Sequence, residues 1–133
     1  MKPVFGDTFY FLAYLNEMDA RHPRAMVAAR QFYGRIVTTH WVLTELADAF
    51  AKSVTRRQLA EFVRSLEQDE AIRVVPMSRE WFERGLDRYA EREDKQWPLT
   101  DCISFVVMES EGITEALTAD HHFEQAGFTI LLK

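Results

Sequence analysis

The chain has 133 residues, 47% of them hydrophobic and 13% aromatic, which favours one folded domain over residues 1–133 and excludes a disordered protein. Its 21 acidic and 16 basic side chains give a net charge of −5, so any contacts to nucleic acid must be local or involve metal ions. The single cysteine, Cys102, excludes a disulfide within the chain and suits a reducing cytosol. We see no membrane-spanning stretch and no signal peptide, and expect a cytoplasmic protein.

Short apolar runs alternate along the chain with longer segments of helical pattern. The predicted strands are 4–7, 36–39, 72–75, 115–118 and 128–132. The predicted helices are 9–15, 23–33, 41–53, 55–69, 78–92, 98–111 and 120–126, with glycines ending several of them. Alternating strands and helices predict an α/β fold, in which helices cover both faces of a central, mainly parallel sheet of four or five strands.

Two aspartates lie where predicted strands lead into helices. Asp7 is the last residue of strand 4–7, and Asp120 comes shortly after strand 115–118. Both have an ordinary interpretation as helix N-caps, where aspartate is common. Because ligands of parallel sheets bind outside the carboxyl ends of the strands, we also expect both carboxylates at that edge.

Two further carboxylates lie on apolar helical surfaces. Asp101 lies in the first turn of the apolar helix 98–111. Because no lysine or arginine lies one turn away, it is either a helix cap or part of a charged site. Glu45 has apolar helical neighbours and is predicted to point inward. Asp48, with Lys52 four residues on, is predicted to form an exposed pair.

If four carboxylates lie in one cleft, the repulsion between their negative charges must be offset. Two such charges about 4 Å apart repel by roughly 4 kcal/mol at an effective dielectric of 20, so either their pKa values rise or divalent cations bind among them. Oxygen ligands suit Mg²⁺ or Mn²⁺, and two such ions are a common basis of phosphodiester hydrolysis. The pattern alone would equally serve a phosphatase.

Four motifs in this order resemble the PIN-domain family, and within it the VapC-type toxins of bacterial toxin–antitoxin pairs. They are GDT at 6–8, TEL at 44–46, LTDCIS at 99–104 and ALTADHHFEQAGF at 116–128, and the resemblance covers almost the whole chain. The family's four acidic positions correspond to Asp7, Glu45, Asp101 and Asp120.

The resemblance implies a PIN-like three-layer sandwich with metal-dependent endoribonuclease activity. Asp7 and Asp101 would hold Mg²⁺ or Mn²⁺ most directly, and Glu45 and Asp120 would complete the cluster or bind a second ion. Thr8 and Thr118 match hydroxyl residues that line the family's site. The implied partners are an RNA substrate, a small cognate antitoxin and a second copy of the chain in a homodimer.

Basic and aromatic residues offer further candidates for binding RNA, although solvated surface or core packing explains each of them more simply. His121 and His122 follow Asp120 and are interpreted chiefly as surface histidines. Candidates for phosphate contacts are Arg21, His22, Arg24, Arg30, Arg35, Lys52, Arg56 and Arg57. Candidates for base stacking are Trp81, Phe82, Tyr89 and Trp97.

Three other functions stay open at this point. In a phosphatase of the halohydrolase-like type, Asp7 would be a covalent nucleophile, but such enzymes use a second aspartate two residues on, where this chain has Phe9. A non-catalytic binding module would use the acidic pocket only for docking. A PIN-type nuclease could instead process RNA or DNA without acting as a toxin.

Overall fold

The apolar runs form one parallel sheet, and the segments between them form helices. In the computed structural model, which describes residues 2–133, the strands are β1 (Val4–Gly6), β2 (Ile36–Thr39), β3 (Ile72–Val75), β4 (Glu115–Leu117) and β5 (Thr129–Ile130). The helices are α1 (Thr8–Leu15), α2 (His22–Gln31), α3 (His40–Ala49), α4 (Arg56–Leu66), α5 (Arg79–Glu91), α6 (Leu99–Ser110) and α7 (His121–Gln125). All strand pairs are parallel, in the order β3-β2-β1-β4-β5, which confirms the predicted α/β fold.

The middle strand, β1, is buried at every residue, as expected for a parallel sheet covered on both faces. It pairs with β2 on one side and β4 on the other, with Phe5 opposite both Val37 and Ala116. The site lies at the carboxyl ends of these central strands, where the chain leaves the sheet.

The strand order reverses between β1 and β4. From β1 the chain moves to β2 and β3, whereas from β4 it moves outward in the other direction to β5. Crossover connections between parallel strands are right-handed, so the segments that follow β1 and β4 leave toward opposite faces of the sheet. This reversal opens a crevice at the carboxyl ends of β1 and β4, the usual ligand position in such sheets.

Helix α6 is the most deeply buried helix of the described chain, with every residue from Asp101 to Met108 buried. The Phe105 ring packs edge-on against Phe123, 5.0 Å between centroids, and against Trp97 at 5.1 Å. Helix α5 lies against α6 through Gly85, where an added Cβ would come within 2.3 Å of Ile103 Cγ1. This burial agrees with the apolar residues that cover nearly every side of helix 98–111 in the sequence.

Several helix ends differ from the prediction. Helix α3 ends at Ala49 instead of residue 53, because a turn follows in which the Ser53 hydroxyl accepts the Thr55 N–H. Lys52 therefore lies beyond the helix and is not held one turn from Asp48, and within residues 2–133 no ion pair joins the two. Helix α4 also ends early, at Leu66, and β5 is shorter than predicted.

Glycines end the helices where the sequence predicts them to. Gly34, Gly112 and Gly127 have φ of 80°, 70° and 98°, a left-handed conformation that other residues adopt at a steric cost. Across residues 2–133, no helix combines the length and apolar character needed to cross a bilayer.

Candidate active site

Asp7 is placed at the crevice by the end of β1. Although it occupies the N-cap position of α1, its side chain makes no capping hydrogen bond, so the cap interpretation does not explain it. The carboxylate is 4% exposed, and its Oδ2 accepts a hydrogen bond from the Thr118 hydroxyl at 2.8 Å. Its other oxygen, Oδ1, is buried without a hydrogen-bond partner. A buried polar atom left unpaired is costly, which marks Oδ1 as a position for a ligand.

Thr118 links the first and last carboxylates of the site. It lies one residue beyond β4 and is fully buried. Besides donating to Asp7, its Oγ1 accepts the backbone N–H of Asp120 at 3.0 Å. One hydroxyl therefore fixes the spacing between Asp7 and the residue that begins the next helix.

Asp120 both caps α7 and faces the site. Its Oδ1 accepts the backbone N–H of His122 at 2.9 Å, so the N-cap interpretation of this residue is confirmed. The same Oδ1 lies 3.4 Å from the His122 ring Nδ1. The carboxylate is half-buried and close enough to raise the pKa of Asp101 by charge repulsion.

Asp101 lies in the first turn of α6 and is 4% exposed. Pro98 occupies the N-cap position, so capping does not explain the aspartate. Its Oδ2 lies 3.2 Å from Nδ1 of His122, the closest polar contact described for this carboxylate. The alternative left open by the sequence, a charged site, is the one that the structure supports.

Glu45 reaches the cluster from α3. It is half-buried and accepts a hydrogen bond from the hydroxyl of Thr8, which is the first residue of α1. Asp48, three residues further along, is exposed, as predicted. The apolar neighbours of Glu45 in the helix therefore predict its inward direction correctly.

The four carboxylates interact electrostatically. Burial raises the pKa of Asp7 from 3.8 to about 7, and repulsion from Asp101 and Glu45 adds to this effect, while the Thr118 hydrogen bond and the nearby backbone N–H of Thr8 oppose it. Burial likewise raises the pKa of Asp101 to about 7, with repulsion from Asp120 and Glu45. Two clustered carboxyls whose pKa values are both raised to about 7 indicate a site built for added positive charge.

The residues present fit a hard divalent cation. The unpaired Asp7 Oδ1 and the Asp101 carboxylate supply oxygen donors, which Mg²⁺ and Mn²⁺ prefer. Asp120, His121 and His122 also offer ligand atoms that all lie within 4.8 Å of one another. A cation among these groups would offset the repulsion that raises both aspartate pKa values.

His122 belongs to the site although the sequence does not identify it as a site residue, and its interpretation as a surface histidine is wrong. It lies in the cluster with 19% of its side chain exposed, whereas His121 is 70% exposed. A histidine pair after a capping aspartate gives no signal of which ring turns inward. That direction depends on the packing of α7 against α6.

The basic and aromatic candidates divide into several environments. His22 contacts the Ala13 carbonyl through Nδ1 at 2.8 Å, a structural role at the end of α1. Arg21 donates from Nε to the Leu132 carbonyl at 2.8 Å and lies over the Phe9 ring. Trp97 belongs to the core, and Trp81 is partly buried against it, while Phe82 and Tyr89 are exposed together with Leu86 on α5.

Comparisons with known proteins agree with this geometry. The sequence model of the PIN domain matches residues 4–129. A 23S rRNA-specific endonuclease, VapC20 of Mycobacterium tuberculosis, is 26% identical over 125 residues, covering 94% of this chain and 95% of that protein.

Solved structures give the same result. The crystal structure of Mycobacterium tuberculosis VapC20, described as a sarcin–ricin loop cleaving toxin, superposes with a TM-score of 0.84 at 25% identity, covering 95% of this chain and 96% of that one. DNA-bound VapBC of Salmonella typhimurium shares the fold, with a TM-score of 0.68 at 15% identity and 98% of each chain covered. The resemblance inferred from four short motifs is thus confirmed: the chain belongs to the PIN domain family.

Proposed function

We propose that this chain is a divalent-metal-dependent endoribonuclease, one PIN-like nuclease domain over residues 1–133, and the toxin of a toxin–antitoxin pair. The observation that carries the proposal is the buried, unpaired Oδ1 of Asp7 inside a cluster of four carboxylates at the sheet's switch point. VapC20, which resembles the chain over nearly its whole length, is named as an endonuclease of 23S rRNA.

In this proposal Asp7 and Asp101 hold Mg²⁺ or Mn²⁺, with Glu45 and Asp120 completing the set of acids. When bound, the ion lowers the pKa of a water nucleophile and offsets negative charge on the departing oxygen. Thr118 fixes the Asp7 carboxylate through its hydrogen bond, and Thr8 does the same for Glu45. The burial of Asp7 and Asp101 excludes bulk water and strengthens every charge interaction at the site.

Arg21 is our candidate for a contact to the RNA backbone. Its bond to the Leu132 carbonyl uses one of the five N–H donors of a guanidinium, and no carboxylate takes part in that bond. The Leu132 N–H in turn donates to the Thr118 carbonyl at 3.0 Å, so Arg21 lies at the same edge of the sheet as the acids. A local cation there explains how a chain of net charge −5 would bind a phosphate backbone.

The deciding experiment is inducible expression followed by mapping of new RNA ends, comparing the wild type with Asp7→Asn. We expect discrete cleavage sites with the wild type and none with the variant, and 23S rRNA is the first RNA to inspect because it is the substrate in the name of VapC20. Asp48→Asn is the matched control, since Asp48 is exposed on α3 outside the cluster. Full cleavage by folded Asp7→Asn would end the assignment.

The toxin role needs a separate test, because a processing nuclease would pass the first one. We expect a small antitoxin gene beside this one, and its product should copurify with the chain and block cleavage. The homodimer implied by the resemblance should be visible by light scattering of the purified protein. Growth inhibition without an adjacent antitoxin gene would favour RNA processing instead.

A further inference from the structure

The imidazole of His122 lies between two carboxylates that come from different elements. Its Nδ1 is 3.2 Å from Asp101 Oδ2, on α6, and 3.4 Å from Asp120 Oδ1, at the start of α7. The backbone N–H of His122 also donates to Asp120, which fixes the residue at the head of its helix. The ring is therefore held in the acid cluster by contacts on two sides.

These separations match those of neighbouring ligand atoms around one ion. In an octahedral centre with bonds of about 2.0–2.1 Å, adjacent ligand atoms lie about 3 Å apart. Nδ1 of His122 stands at about that distance from one oxygen of Asp101 and one of Asp120. Nδ1 of His122 therefore has the spacing of a neighbouring ligand atom to each of these two oxygens.

A second observation points to a cation in the same cluster. Oδ1 of Asp7 is buried with no hydrogen-bond partner, although its carboxylate faces the charge of Asp101. A hydrogen bond from His122 to Asp101 does not supply this oxygen with a partner. An ion held by Asp7 and Asp101 would supply that partner, and His122 is already in contact with Asp101.

We propose that His122 ligates the divalent ion through Nδ1, so that the centre has mixed nitrogen and oxygen ligands and prefers Mn²⁺ to Mg²⁺. This inference rests on the metal site of the proposed function and specifies it further. Mg²⁺ takes oxygen ligands, whereas imidazole nitrogen is an ordinary ligand of divalent transition metals. The sequence predicts oxygen ligands only, so His122 changes both the ligand set and the expected ion.

His121 provides a matched control within the same helix. It has the same side chain one position earlier, but it is 70% exposed and its Nδ1 lies 3.7 Å from Asp120 Oδ1. The chain contains four histidines, and the other two have different partners: His22 contacts the Ala13 carbonyl, and His40 contacts Glu67. Substitution of His121 and of His122 in turn can therefore show which residue supplies a histidine nitrogen bound to the metal.

The experiment is electron spin-echo envelope modulation spectroscopy of the full chain loaded with Mn²⁺. We expect modulation from a directly bound ¹⁴N nucleus, which changes when histidine is labelled with ¹⁵N. The signal should be lost in His122→Asn and kept in His121→Asn. By calorimetry, His122→Asn should weaken Mn²⁺ binding by about tenfold or more, the scale seen when metal sites lose a supporting group, and weaken Mg²⁺ binding less.

Several outcomes would overturn the inference. Mn²⁺ that binds wild-type protein without nitrogen modulation contradicts ligation by His122 but leaves the proposed nuclease standing. Failure of wild-type protein to bind Mn²⁺ at all contradicts both. Loss of the signal in His121→Asn instead of His122→Asn assigns the ligand to the neighbour and contradicts the proposal.

A second variant separates loss of the ligand from loss of the fold. His122→Asp replaces the nitrogen by an oxygen that still suits Mn²⁺, so it should bind the ion yet show no histidine modulation. Persistence of that modulation in His122→Asp would refute the assignment. Circular dichroism of each variant checks that α7 and its surroundings remain folded.

Discussion

Replacing Asp7 by asparagine should stabilise the metal-free protein at pH 8. In the folded chain the pKa of Asp7 is raised from 3.8 to about 7, first by burial and then by repulsion from Asp101. A carboxyl whose folded pKa is raised contributes stability that is present below pH 3.8 and is lost as the pH rises through about 7. The wild type therefore loses stability across this window, and the neutral asparagine removes that loss.

The size of the effect follows from the shift. The pH range between the unfolded and the folded pKa of Asp7 spans about three units. At about 1.4 kcal/mol per unit, the wild type loses on the order of 4 kcal/mol of unfolding free energy across this range. Between pH 5 and pH 8 about two of these units are accessible, which corresponds to about 3 kcal/mol. The asparagine amide leaves a buried donor without a described partner, which costs about 1–3 kcal/mol and reduces the net gain at pH 8.

The assay is urea unfolding with a metal chelator present, followed by fluorescence of the three tryptophans from pH 5 to pH 8. The quantity to compare is the difference in unfolding free energy between the wild type and Asp7→Asn, in which contributions from groups outside the acid cluster largely cancel. Asp48→Asn is the control for the substitution itself, since Asp48 is exposed. A difference that stays constant with pH, or that grows toward pH 5 in favour of asparagine, would refute the reasoning.

Three further predictions concern single contacts. Thr118→Val should lower the metal affinity measured by calorimetry, because Asp7 Oδ2 loses the hydroxyl that donates to it at 2.8 Å. Thr118→Ser keeps a hydroxyl at this position and should keep the metal affinity of the wild type. Gly85→Ala should destabilise the protein by about 1–3 kcal/mol in urea unfolding, because its Cβ would meet the Ile103 side chain and backbone. Arg21→Gln should weaken binding of a short RNA to the inactive Asp7→Asn protein and lower the salt dependence of that binding by about one phosphate contact.

Each of these three has a result that contradicts it. Equal metal affinity in Thr118→Val would mean that the hydroxyl does not position Asp7. Unchanged stability of Gly85→Ala would mean that α5 and α6 separate easily to admit a methyl group. Unchanged RNA affinity in Arg21→Gln, with Arg64→Gln on the exposed surface of α4 as the matched comparison, would remove Arg21 from the binding surface.

The sequence was sufficient to bring the four acids to one site because each carries a local signal. Asp7 and Asp120 follow strands, and parallel strands end at a common edge. Glu45 and Asp101 lack a cation one turn away on otherwise apolar surfaces, so burial without a helical partner could be expected. These are rules of periodicity and charge that need no tertiary information.

The features that the sequence did not predict depend on contacts between distant segments. The hydrogen bond from Thr8 to Glu45 joins residues 37 positions apart, and the contact of His122 with Asp101 joins residues 21 positions apart. The end of α3 at Ala49 is set by a turn in which Ser53 bonds Thr55, which competes with continuation of the helix. Local propensity cannot rank such alternatives.

The position of β1 in the middle of the sheet has a consequence for synthesis of the chain. The hydroxyl that orients Asp7 belongs to Thr118, which is synthesised 111 residues later. A nascent polypeptide still attached to the ribosome before residue 120 emerges thus lacks an assembled acid cluster. An enzyme that attacks RNA would in this way be harmless to the ribosome translating it until these later residues have left the ribosome.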